Sequence, residues 1–212
     1  MHFMTASFLA ISMVVVPSTA MAADEPAHVV VEESGAIQIR DYEAMILAEV
    51  SATGDMRQAG NAGFRPLANY IFGGNRARAG GNTEISMTTP VTQTRSQEIS
   101  MTTPVTQSLS EAGEWRIAFV MPAEWTLETL PIPEDDSVTL REQPARRLAV
   151  IRFRGGPDDD RFRAREDELR SYLDENGHTA VGDAIYARYD PPWIPTPFRR
   201  NEVMIPVSTT MD

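Results

Sequence analysis

The two halves of this chain carry the same succession of strand, helix and strands, and that duplication narrows the architectures open to it. Ile37-Gln38-Ile39-Arg40-Asp41 reappears as Val138-Thr139-Leu140-Arg141-Glu142, an offset of 101 residues that keeps both the alternation and the order of charges. At the same offset Ala44, Leu47, Ala48 and Val50 fall on Ala145, Leu148, Ala149 and Ile151, and Leu67 and Tyr70 recur 102 residues later as Leu169 and Tyr172. Residues 202–207 echo 117–121. Period-two alternation predicts strands over 29–31, 37–50, 115–121 and 202–207. A helix is predicted over 55–72, where Phe64, Leu67, Ala68 and Ile71 recur at i, i+3, i+4 and i+7. Gly73-Gly74-Asn75 ends it with residues that tolerate left-handed backbone. A second helix runs from Asp158 to Asn176 and closes at Gly177, and 130–133, with two prolines, reads as an extended connector. One-sided strands and helices must bury their apolar faces on each other, so two such halves predict one pseudo-two-fold α+β domain.

A second repetition is shorter and perfect. Glu84-Ile85-Ser86-Met87-Thr88-Thr89-Pro90-Val91-Thr92-Gln93 returns unchanged as 98–107, with only Thr94-Arg95-Ser96-Gln97 between the copies. Each copy alternates apolar and polar residues and carries a proline that limits a central ladder. The spacing predicts two adjacent antiparallel strands joined at Thr94–Gln97, lengthening a hairpin beyond the common core.

Residues 1–22 contain no Asp, Glu, Lys or Arg; the apolar run 8–16 is followed by Pro17 and by Ala20-Met21-Ala22. That is the layout of a signal peptide with a small-x-small cleavage site, too short for a permanent span. The expectation is a periplasmic or secreted protein, cleaved near Ala22, with no stable membrane insertion. Residues 23–35 then hold an N-terminal tail and first strand, and 36–212 form one domain. There is no cysteine, which excludes disulfides, thiolate metal sites, thiol nucleophiles and covalent haem attachment. All 19 basic residues are arginine, which removes lysine Schiff-base chemistry. A net charge of −11 argues against a nucleic-acid partner, since binding would require neutralising phosphates.

Five phrases converge on one family. They are 63–75 (Gly-Phe-Arg-Pro-Leu-Ala-Asn-Tyr-Ile-Phe-Gly-Gly-Asn), the doubled Ile-Ser-Met-Thr-Thr-Pro-Val, Phe119-Val120-Met121-Pro122, Tyr189-Asp190-Pro191-Pro192-Trp193, and Arg199-Arg200-Asn201-Glu202-Val203. Together, and in this order, they resemble the SOUL family of haem-binding proteins over roughly residues 36–207. The resemblance implies a distorted β-barrel flanked by two helices, built from two βαβ-type repeats as in GyrI-like ligand-binding domains. It also implies non-covalent binding of haem or another tetrapyrrole in an apolar cleft beside the first helix. Some animal members are proposed to ligate iron through a histidine between the Arg and Tyr of the first-strand motif; here Arg40-Asp41-Tyr42 offers none.

The candidate cleft residues are Phe64, Arg65, Leu67, Ala68 and Ile71 on the first helix, with Met87 and Met101 from the doubled strand. The helix stripe could equally be plain core, and the two methionines core filler. Arg65, Arg76 and Arg78 flank the helix, and a guanidinium fork suits the haem propionates. Of the three histidines, His2 leaves with the signal and His28 lies in the N-terminal tail. His178 follows the second helix, where a turn role competes with axial ligation. No metal-ligand spacing, nucleophile elbow, phosphate loop or dinucleotide fingerprint occurs, so the sequence predicts a binding protein rather than an enzyme. The alternative is a GyrI-like module for another amphipathic small molecule, with incidental haem affinity.

Overall fold

The computed structural model describes residues 25–78, 99, 104–109, 114–156, 158–190 and 193–208. The elements are β1 (His28–Ser34), β2 (Ile37–Tyr42), β3 (Met45–Ala52), α1 (Met56–Ile71), β4 (Asn75–Arg76), β5 (Val105–Leu109) and β6 (Trp115–Val120). They continue with β7 (Ile132–Pro133), β8 (Thr139–Gln143), β9 (Arg146–Arg154), α2 (Asp159–Glu175), β10 (Ile185–Arg188) and β11 (Arg200–Pro206). Nine strands form one curled antiparallel sheet in the order β1-β2-β9-β11-β10-β5-β6-β3-β8. The β4–β7 ladder stands apart, so the predicted 130–133 connector ends in a two-residue strand.

The order of strands is the pseudo-two-fold made visible. In the first half β3, β6 and β5 lie side by side, and in the second half β9, β11 and β10 do the same, so that β5 and β10 meet at the centre. The leading strands are exchanged: β2 pairs with β9 of the second half, and β8 with β3 of the first. The predicted strand over 37–50 is therefore broken at Glu43-Ala44, and its two parts serve opposite halves. Register refines the sequence match. Leu47 pairs with Val120 and Leu148 with Pro206, which maps β6 onto β11 at an offset of 86. A one-residue slip exchanges the two faces of a strand, and the structural register puts Arg116, not Ile117, in the place of Glu202.

One sheet face packs on both helices. Ile37, Ile39, Ala48, Val50, Ile117, Phe119, Ala149, Ile151, Val203 and Ile205 meet Met56, Ala59, Leu67, Tyr70 and Ile71 of α1 and Phe162, Leu169 and Leu173 of α2. Asp55 caps α1 through its carboxylate and closes a reciprocal capping box with Gln58, satisfying donors that the first turn leaves open. Asp158 caps α2, with Asp159 and Asp160 facing the positive end of the helix dipole. Gly63 lets α1 lie close to β6, because a Cβ there would stand 2.8 Å from Ile117. The opposite, inner face of the curl holds two smaller apolar clusters. One is Tyr42, Leu148, Val150, Ile185, Ala187 and Met204; the other is Leu47, Ala118 and Val120; Met45 touches both.

The expected hairpin of the duplicated segment lies mostly outside the described residues. The first copy lies outside the described residues. In the second, Ile99 is buried and donates its N–H to the Ile71 carbonyl at 2.8 Å, and the strand begins only after Pro104. Proline has no N–H for a ladder, so the central strand starts beyond it. Both edges of β5 are filled, by β6 and by β10, which leaves Val105–Leu109 no edge for a second copy. His28 opens β1 rather than lying in a loose tail, its ring 4.9 Å from that of Tyr42.

Candidate functional site

The predicted stripe on α1 divides into two parts. Leu67 and Ile71 are sealed in the core, at 0% and 1% exposure. Phe64 is 41% exposed and Phe72, at the helix C-cap, 58%, with half-buried Ala68 between them in sequence. Residues four apart share a helix face, so Phe64, Ala68 and Phe72 form an exposed apolar strip with its smallest member in the middle. Phe64 is held edge-on against Phe119, ring centroids 5.4 Å apart. Arg65 is exposed beside this strip. Arg78 is exposed, and its Nε donates to the Leu130 carbonyl at 2.7 Å. Met87 and Met101 lie outside the described residues. Phe72 is the member that pattern reading left out, because it follows the last regular turn.

His178 is a structural turn residue in its contacts. Its Nε2 is 3.2 Å from the Glu32 carboxylate on β1, and its ring stacks on Tyr172 at 6.4 Å. Among the described residues no cluster of three His, Cys, Asp or Glu side chains could hold a metal ion. No helix among them is long and apolar enough to cross a membrane.

A second feature lies on the inner face of the sheet. A groove of about 660 Å³ is walled by Leu47, Glu49 and Ser51 of β3, Thr106 and Ser108 of β5, Arg116 and Ala118 of β6, and Arg141 and Gln143 of β8, with Arg146 and Ile185 at its floor. Volumes of this size are usual for small-molecule sites. Arg146, Leu47, Thr106 and Ile185 also line a narrow apolar slot of about 30 Å³ that continues under Met45, Val120 and Met204. Within the groove Glu49 is occupied by Arg141, whose Nη2 donates to Oε1 at 2.8 Å and whose Nε donates to the other oxygen. Arg146 has its Nε buried with no hydrogen-bond partner. Burial, then the like charge of Arg141, lowers its pKa from the usual arginine value.

Past the slot the same face closes over a fully buried carboxylate. Glu202 accepts from Arg40 at 3.1 and 3.2 Å, from Arg152 at 3.1 Å, from Arg200 at 2.8 Å and from the Tyr189 hydroxyl at 2.5 Å. Arg40 also donates to Tyr42 at 3.0 Å. Burial alone would raise the Glu202 pKa, but the charge of Arg40 and the bonds from Arg40, Tyr189 and Arg200 outweigh it and hold the carboxyl below its ordinary value. The phrase Arg199-Arg200-Asn201-Glu202 was visible in sequence; the convergence of Glu202 with Arg40, 162 residues away, was not.

A curled antiparallel half-barrel with two helices on one face is the GyrI-like α+β class. Solved structures agree. The C-terminal domain of EcmrR superposes with a TM-score of 0.58 at 11% identity, covering 82% of this chain and 97% of that one. A hydrolase from Listeria innocua gives 0.51 at 12% identity, covering 84% and 94%. An uncharacterized conserved protein from the same organism gives 0.51 at 11% identity, covering 81% and 92%. At such identities the likeness is one of fold. No curated protein is recognisably similar in sequence. Residues 23–206 match the SOUL heme-binding protein family, nearly the whole described chain, and the protein belongs to that family.

Proposed function

We propose that this protein binds haem, or a close relative of haem, non-covalently on the exposed strip of α1, and serves to buffer or pass on the macrocycle in the cell envelope. Membership of a haem-binding family carries the ligand class. Phe64 and Phe72 offer aromatic faces on either side of Ala68, where a flat ring could approach the helix backbone. Burying apolar macrocycle surface contributes about 25 cal/mol per Å². Iron coordination is dispensable in this reading, since Asp41 stands in the histidine position of other members and is engaged by Arg147 at 2.6 and 2.8 Å. Arg65 beside the strip is the candidate for a propionate.

The uncharged apolar run at 8–16 and the Ala20-Met21-Ala22 site support export, so N-terminal sequencing of protein from its native host is expected to begin at Ala23. A second reading is favoured by the inner-face groove: it lies across the sheet from α1 and offers a separate volume for another amphipathic small molecule. Titrating the protein in parallel with haemin and iron-free protoporphyrin tests the first reading. Saturable binding of both is expected, and failure of both to saturate overturns it.

A further inference from the structure

The inner-face groove contains a guanidinium whose buried Nε has no acceptor among the described residues. Among the described residues on this side of the sheet, Arg141 is matched to Glu49, and Arg40, Arg152 and Arg200 to Glu202. Among the described residues the buried Nε of Arg146 has no hydrogen-bond partner, and its side chain lines both the groove and the slot. A buried donor without an acceptor is costly, and a free guanidinium fork is shaped for a carboxylate. The nearby acceptors are spent. Glu49 is held by Arg141, and the Tyr42 hydroxyl already accepts from Arg40.

We infer that Arg146 anchors the carboxylate of a small hydroxylated organic acid bound in this groove. The walls define the rest of the ligand. Ser51, Thr106, Ser108 and Gln143 present hydroxyl and amide groups that suit hydroxyls on the ligand body. The remaining acidic residues of the groove, Glu114 and Asp183, oppose a second negative charge, so the ligand is a monocarboxylate. A cationic ligand is disfavoured beside Arg146 and Arg141. This site is independent of haem on α1, which lies against the other face of the sheet.

Calorimetric titration of the full mature chain with D-gluconate and L-lactate tests the inference, with glucose and sulfate as controls. Saturable binding of at least one acid is expected, with sulfate and glucose weaker. Arg146→Gln should weaken it at least about tenfold, Arg146→Lys should restore part of it, and haemin titration should be the same in all three proteins. Arg146→Gln should melt no lower than the parent, because it removes an unsatisfied buried charge. The inference is overturned if neither acid saturates, if sulfate binds as well as they do, or if Arg146→Gln binds the acids unchanged. A lowered melting temperature in Arg146→Gln with unchanged acid binding would assign the guanidinium to packing and overturn it equally.

Discussion

Gln107 and Tyr186 pair with each other at the centre of the sheet, and each is the other's counterpart in the duplicated halves. Gln107 also pairs with Ile117 and Tyr186 with Val203, positions that correspond at the offset of 86. The pseudo-axis therefore passes between them. Their side chains have diverged, each tying its strand to a helix. Gln107 donates to the Met56 carbonyl of α1 at 2.6 Å and accepts from Arg188 at 3.1 Å, while the Tyr186 hydroxyl donates to Glu166 of α2 at 2.5 Å.

Gln107→Leu should destabilise the domain by about 1–3 kcal/mol. The substitution strands Arg188, whose Nε and Nη2 already lack partners, without its remaining acceptor. Urea unfolding measures the loss, and Ser108→Ala, on the other face of the same strand, should change stability far less.

Glu202 should contribute to acid sensitivity of the fold. Its folded pKa is lowered, so its contribution is fully present above the unfolded carboxyl value near about 4.3 and is lost as pH falls through the lower folded value. Glu202→Gln should cost about 3–5 kcal/mol at neutral pH, because Arg40 is left buried beside a neutral group. Its stability should also fall less steeply than the parent's below about pH 4.3. Chemical denaturation across that range checks both the sign and the window.

Removing residues 84–97, one 14-residue unit of the repeat, should leave a cooperative fold. The described parts of the second copy supply what the fold uses: Ile99 in the core, and Val105 to Gln107 in a strand with both edges filled. Loss of a cooperative melt in the deletion would show that the first copy is structural.

Much of this was legible in sequence because local rules and tertiary demands coincide. The α1 limits follow from Asp55 and Gly73, and the equivalence of β2 with β8 and β3 with β9 from the 101-residue offset. What escaped depends on partners distant in sequence. Periodicity marked Leu67 and Ile71 as apolar but could not separate them from Phe64, since a helix stripe does not reveal how far the sheet wraps around it. The groove was hidden for the same reason. Glu49, Arg116 and Arg146 are ordinary alternating polar residues until the curl of the sheet brings them around one volume.

His178→Ala should leave haem affinity unchanged and alter stability by less than about 1 kcal/mol, since its link to Glu32 is half-exposed. Haem spectra and thermal melts of this variant check the assignment of His178 to the turn.

The haem site itself is tested most directly by haemin titration of Ala68→Trp alongside the parent, with thermal unfolding of both. Ala68 is half-buried between exposed Phe64 and Phe72, so a bulky ring there should obstruct the macrocycle while the fold persists. The account predicts at least about tenfold weaker haem binding, about 1.4 kcal/mol, with a near-parental melting temperature. Undiminished haem binding in a folded Ala68→Trp protein would contradict it.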